Sequence, residues 1–211
     1  MPSFTCVSSE LKIRAQMECL LAPLGVLFEK ETLRDAMLDE TLRPFTGRIL
    51  KDELMPLLPP DGRDEAVISA CRLLSAPGVS PRCDEMLEGL TGNFSLHLLP
   101  HITAKTKGLV MYFAAYILLF ASVRKGASGW EIIGSQGDVI SLSREENALK
   151  MFSSLSCDMQ ADSLAYAVLA DEDVWGRDLR QKEGLCEALE QALCDIQMLG
   201  LSEAMRRVWK A

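Results

Sequence analysis

Histidine is nearly missing from this chain: His97 and His101 are the only two in 211 residues. Their spacing of four lets one helix face chelate a metal. Pro100 lies between them, however, and no set of carboxylates stands at ligand spacing beside them, so no metal site is expected. The seven cysteines (6, 19, 71, 83, 157, 186 and 194) contain no C-x-x-C pair, and none is placed with a histidine as an activated nucleophile. Four of them (19, 71, 186, 194) fall inside apolar helical patterns, which points to reduced, buried thiols in the cytoplasm. A glycine-rich phosphate loop is also lacking. The glycine pairs at 89/92 and 134/137 have neither the preceding strand nor the following helix that a nucleotide site needs. Basic residues are in the minority, 22 against 30 acidic for a net charge of -8. That argues against nucleic acid or an anionic membrane as a main partner. No charged segment followed by an apolar one opens the chain, so no signal peptide is expected.

What the sequence does have is a run at 108–123, GLVMYFAAYILLFASV, with no charge and apolar side chains on every face. As a helix it would span ~24 Å and need covering all round. It falls short of the ~20 residues that cross a bilayer. Lys105, Lys107, Arg124 and Lys125 flank both of its ends rather than one. It is expected to be the central helix of a water-soluble domain.

The other segments read as its wrapping. Residues 1–9 form a leader. Ser8 or Ser9 can cap a helix over 10–28, which Pro23 is expected to kink or divide. Thr32 can cap a second helix, running in two parts around Pro44. A third covers 63–74, before a breaker at 76–81. Residues 82–90 and 94–102 read as one helix interrupted at Gly89 and Gly92. After the apolar run, 130–141 is the one credible β-hairpin, turning around 135–138. Ser143 with Glu146 spells a capping box for a helix through Phe152. Helices follow at 161–170 and 184–199, the last with a stripe of Leu185, Leu189, Leu193 and Ile196 and a stop at Gly200. The acidic run 171–173 reads as a helix-capping loop rather than an acid/base pair. The expected fold is mostly α: a single multi-helical domain over 10–211 around the apolar helix, with at most one small β-hairpin.

VWGRDLRQKEGL at 174–185 resembles a "WG-x-DL … GL" run found before the last helix of the long-chain polyol and uronate dehydrogenases, the mannitol dehydrogenase family. The similarity is greatest to its tagaturonate reductase (altronate oxidoreductase) group. ETLRDA at 31–36 and DELMP at 52–56 resemble the group's "TV-x-E" and "EE-x-x-P" segments, and RLLSAP at 72–77 resembles "RF-x-NP". Leu98-Leu99-Pro100 and the apolar helix follow in order. The resemblance runs from residue 10 to the end. It implies a helical C-terminal domain that supplies substrate and catalytic residues, beside an N-terminal dinucleotide-binding domain that carries NAD and has no counterpart in these residues.

Catalysis in the family rests on a helix motif: a general-base lysine, an asparagine five on and a histidine three later. The resemblance places these at Lys12, Met17 and Leu20. Neither a thioether nor a hydrocarbon can hold a substrate oxygen. A second segment, Ser-Lys-x-x-x-Arg, binds the anionic end of the substrate, and it falls on Gly92, Asn93 and His97. The resemblance therefore implies a catalytically degenerate relative that binds no cofactor alone and acts as a binding or interaction module. Its alternative is the substrate-domain subunit of a split NAD-dependent oxidoreductase. Two partners are expected accordingly. One is a second copy of the chain, covering a Met17/Leu20 face; the other is a separate dinucleotide-binding chain.

Overall fold

The computed structural model describes residues 4–76, 78, 80–126, 129–133, 138–155 and 159–210, with side chains from Ser9 onward. Cys157, the 134–137 part of the expected turn and the side chain of Cys6 lie outside that description. The chain divides into two compact units, Met1–His101 and Ile102–Ala211. Each unit is built around one long, largely buried helix.

In the first unit that helix is α1 (Phe4–Leu27). It begins well before residue 10, so part of the expected leader is helical, and Ser9 is buried inside the helix rather than capping it. Pro23 does not divide it. Leu20, Leu21, Ala22 and Leu24 are all fully buried around the proline, and this packing outweighs the one backbone hydrogen bond that proline removes. Around α1 pack α2 (Leu33–Leu38), α3 (Leu42–Arg48), α4 (Arg63–Ser75) and α5 (Leu90–His97). Gly25 is where α1 meets the loop before α5, since a Cβ there would collide with Cys83 Sγ.

Thr32 caps α2 as expected. Its hydroxyl accepts from the Asp35 amide at 3.2 Å, and Asp35 answers by accepting from the Thr32 amide, also at 3.2 Å. The break that follows is at Asp39 rather than Pro44. The Asp39 carboxylate accepts from the amides of Thr41 and Leu42 at 2.8 and 3.0 Å and starts α3 anew. Pro44 sits in the first turn of α3, where no amide is needed. A π-helical turn, Ile49–Leu54, continues α3. Gly89, with φ of 75°, precedes α5, whereas Gly92 lies inside it and interrupts nothing.

The second unit is built on α6 (Lys107–Phe120), in which every residue from Gly108 to Phe120 except Leu118 is buried. The strands β1 (Arg124–Lys125), β2 (Trp130–Ile133) and β3 (Val139–Leu142) make an antiparallel sheet in that order, one short strand more than the expected hairpin. Then come α7 (Glu146–Ser153), α8 (Ala161–Ala170), α9 (Glu172–Trp175), α10 (Leu185–Leu199) and α11 (Leu201–Arg207). α7 starts from Glu145, two residues after the expected cap at Ser143, and Glu145 has a left-handed φ of 61°. Asp171 does cap, accepting from the Val174 amide at 2.9 Å. The α10 stripe is buried, and Gly200 (φ of 78°) ends that helix. α11 beyond it was not anticipated.

Aromatic rings lock the second unit. Tyr116 stacks on Phe120 at 4.6 Å, and Phe152 meets Tyr116, Phe120 and Trp175 at 5.8, 5.3 and 6.4 Å. Among the described residues no helix is long and apolar enough to cross a membrane.

Candidate functional site

The residues singled out from the sequence lie on two neighbouring helices of the first unit, α1 and α5. Gln16 joins them: its Nε2–H donates to the backbone carbonyl of His97 at 3.3 Å. Lys12 stands one turn before Gln16 on α1, and Asn93 one turn before His97 on α5, so each pair shares a helix face. Lys12 and His97 are half-buried and Asn93 is exposed. The arrangement offers an ammonium, two carboxamides and an imidazole, a set that can hold neutral or anionic oxygens.

Gln16 is the member that sequence reasoning underrated. It is 1% exposed, and its Oε1 is buried without a hydrogen-bond partner. The Ser95 hydroxyl on α5 is likewise buried and unpartnered. Such atoms are uncommon in folded chains and mark places where something other than packing fixed the residue. The available signal was a carboxamide four residues after the lysine, on the same helix face.

Met17 and Leu20 are 3% and 0% exposed and belong to the core of the first unit. A helix packed on several sides by α2, α3, α4 and α5 leaves no bare wall at these positions. Among the described residues the large exposed apolar side chains on the two site helices are Leu11 on α1, at 62%, and Leu96 on α5, at 68%.

His101 falls outside α5, in a short 3-10 turn at Leu99–His101, so it does not share a continuous helix face with His97. Among the described residues no three His, Cys, Asp or Glu side chains gather as metal ligands. Cys19 is buried as expected, whereas Cys71, Cys186 and Cys194 are only half-buried, and Cys83 is a buried thiol the pattern did not indicate. Burial pushes the Cys19 and Cys83 thiols up to about 12, which keeps them protonated and unreactive.

The stretch at 174–185 carries structure rather than chemistry. The Trp175 indole N–H donates to the Val168 carbonyl at 2.7 Å and ties α9 to α8. Gly176 ends α9 with φ of 70°, Asp178 accepts from the Arg180 amide at 2.9 Å, and Leu179 is fully buried.

No protein-family profile matches the chain. It is similar to the altronate oxidoreductase of Bacillus subtilis, 22% identical over 196 residues that make up 89% of this chain and 38% of the relative. The altronate oxidoreductase of Bacteroides thetaiotaomicron is 26% identical over 199 residues, 90% of this chain and 40% of the relative. In fold it matches Pseudomonas fluorescens mannitol 2-dehydrogenase, solved as a ternary complex with NAD and D-mannitol. The TM-score is 0.71 at 15% identity, over all of this chain and 42% of that one. The chain thus spans well under half the length of the relatives it matches. Motif order along the sequence, the helical fold and these likenesses agree: the chain is similar to the C-terminal part of the mannitol dehydrogenase family's enzymes.

Proposed function

We propose that this chain is a catalytically silent relative of the substrate-side domain of NAD-dependent polyol and uronate oxidoreductases, working as a binding or interaction module in the cytoplasm. The observation that carries this reading is the burial of Met17 and Leu20 as hydrocarbon core at the positions where the resemblance calls for an asparagine and a histidine. Lys12 is then left without the two polar neighbours that would orient a substrate hydroxyl for proton removal. NAD does not fit the residues present. Among the described residues the only sheet is the small antiparallel β1–β3, with no strand–glycine turn–helix cradle for a pyrophosphate. No step of a hydride transfer is assigned to this chain.

A second reading has its own support. Lys12 remains half-buried beside Gln16, and the exposed Leu11 and Leu96 flank these residues on both helices. That surface suits a separate dinucleotide-binding chain, with this chain as the substrate subunit of a split oxidoreductase. One experiment separates the two readings. The chain is mixed with an isolated dinucleotide-binding domain from an altronate oxidoreductase, and two assays are run, NADH oxidation with tagaturonate and NAD reduction with D-mannitol. The silent reading expects no turnover above that of the added domain. Turnover that needs both chains and disappears in Lys12→Ala would establish the split enzyme instead.

A further inference from the structure

A pocket of about 400 Å³ opens in the second unit between α6, α10 and α11, and nothing in the preceding reading uses it. Small-ligand sites begin at about this size. Its wall is apolar: Val110 and Met111 come from α6, Ala188 and Ala192 from α10, and Leu199 and Val208 close it. The alanines explain why there is space at all, since both line the cavity from α10 with no more than a methyl group.

Charge is not spread evenly around that wall. Lys107, the first residue of α6, and Arg207, in the last turn of α11, both line the pocket against a single carboxylate, Asp195. In a chain of net charge -8 this is a local excess of positive charge. Asp195 Oδ1 already accepts from Gln191 Nε2 at 2.8 Å. Arg207 uses its Nε toward Glu203 at 2.6 Å, a bond that leaves its two terminal nitrogens able to donate elsewhere. The positive end of the α6 dipole adds to the same sign.

We propose that this pocket binds a small amphipathic carboxylate, its alkyl or aryl body against Val110, Met111 and Ala192 and its head group between Lys107 and Arg207. The apolar wall disfavours a sugar or a bare inorganic anion, which would give up hydration there without compensation. The cations disfavour an amine of the same length.

The test uses the full chain, titrated with octanoate, octan-1-ol and octylamine and followed by amide chemical shifts in NMR. Octanoate is expected to bind saturably and to move the amides of Val110, Met111 and Ala192. Octan-1-ol should bind about tenfold more weakly for want of a charge-assisted hydrogen bond, and octylamine should not saturate. Lys107→Gln and Arg207→Gln change exposed side chains, and each should weaken octanoate by a factor of roughly ten. Asp195→Asn should tighten it a few-fold, because a like charge is removed. Ala188→Leu should block the pocket. If that variant misfolds, the two cation variants still decide the question. Octylamine binding as well as octanoate, octanoate affinity unchanged in the Lys107→Gln/Arg207→Gln double variant, or no saturable octanoate binding at all would each overturn the assignment.

Discussion

The two units solve one problem, a helix enclosed by its neighbours, in different ways. α6 is enclosed by hydrocarbon and stacked rings, and its two tyrosines sit within the aromatic cluster of Phe113, Phe120, Phe152 and Trp175. α1 is enclosed less completely, with Arg14, Ala15 and Glu18 half-buried, yet it carries Gln16 into the core with one amide bond made and one oxygen left over. The contrast locates where this fold departs from packing optimality. A core selected for stability alone excludes an unsatisfied carboxamide. One that descends from a substrate-binding wall can retain it.

The widest gap between the units should appear in the aromatic core. Phe152 is fully buried and touches three other rings. Phe152→Ala should cost the second unit about 3–5 kcal/mol. All three tryptophans (130, 175 and 209) fall in Ile102–Ala211, so tryptophan fluorescence during urea unfolding reads that unit. A loss under about 1 kcal/mol would mean that the cluster closes over the cavity, and the contrast with α1 would weaken.

A smaller effect of opposite sign is expected at the other enclosed helix. Gln16→Leu removes the stranded Oε1 at the expense of one 3.3 Å bond to the His97 carbonyl. It should slow hydrogen exchange along α1 and raise stability by about 1 kcal/mol, since an unpaired buried acceptor costs more than an ordinary hydrogen bond returns. Destabilisation would show that Oε1 is satisfied in solution and that the two cores are alike.

How far the sequence disclosed all this follows the range of the forces involved. Thr32, Asp171 and Gly200 act on amides and carbonyls within a few residues, so their caps and stop were legible. The α10 stripe and the apolar α6 were legible because periodicity is local too. Helix α1 was misjudged at both Pro23 and its start, because the packing that carries it across the proline comes from α2, α3, α4 and α5, distant in sequence. The same distance hid the fate of Met17 and Leu20. Their loss of polarity could be read from the motif, but whether they face solvent or core depends on helices as far away as α5. Lys12, Asn93 and His97 were found only through the family resemblance, since no local pattern joins α1 to α5. Asp39 was missed because Pro44 drew attention to a break that the chain makes five residues earlier.

That aspartate gives the smallest test, and it compares the units at their surfaces rather than their cores. Asp39 starts α3 by accepting from two amides, and it pairs with Lys30 at 2.8 Å. Its partial burial works against ionisation, but the Lys30 ammonium and the amides of Leu42 and Thr41 outweigh this and hold the carboxyl below its usual value of 3.8. Its counterpart in the second unit is Asp178, lowered chiefly by the Arg180 guanidinium at 2.7 Å, and the helix start it caps is only the three-residue 3-10 turn Leu179–Gln181. Asp39→Ala should therefore destabilise at neutral pH by about 1 kcal/mol or less, the cost of a lost cap. Asp178→Ala should move the melting temperature less. The sign of the pH dependence follows from the direction of the shift. With the folded pKa below the unfolded one, the contribution of Asp39 is complete above the unfolded pKa and fades as pH falls through the lowered folded value. Melting temperatures of wild type and Asp39→Ala, followed downward from pH 7, should stay apart until the usual carboxylate range and then converge. A gap that persists to the most acid conditions in which the chain still folds would assign the role of Asp39 to hydrogen-bond geometry rather than to its charge.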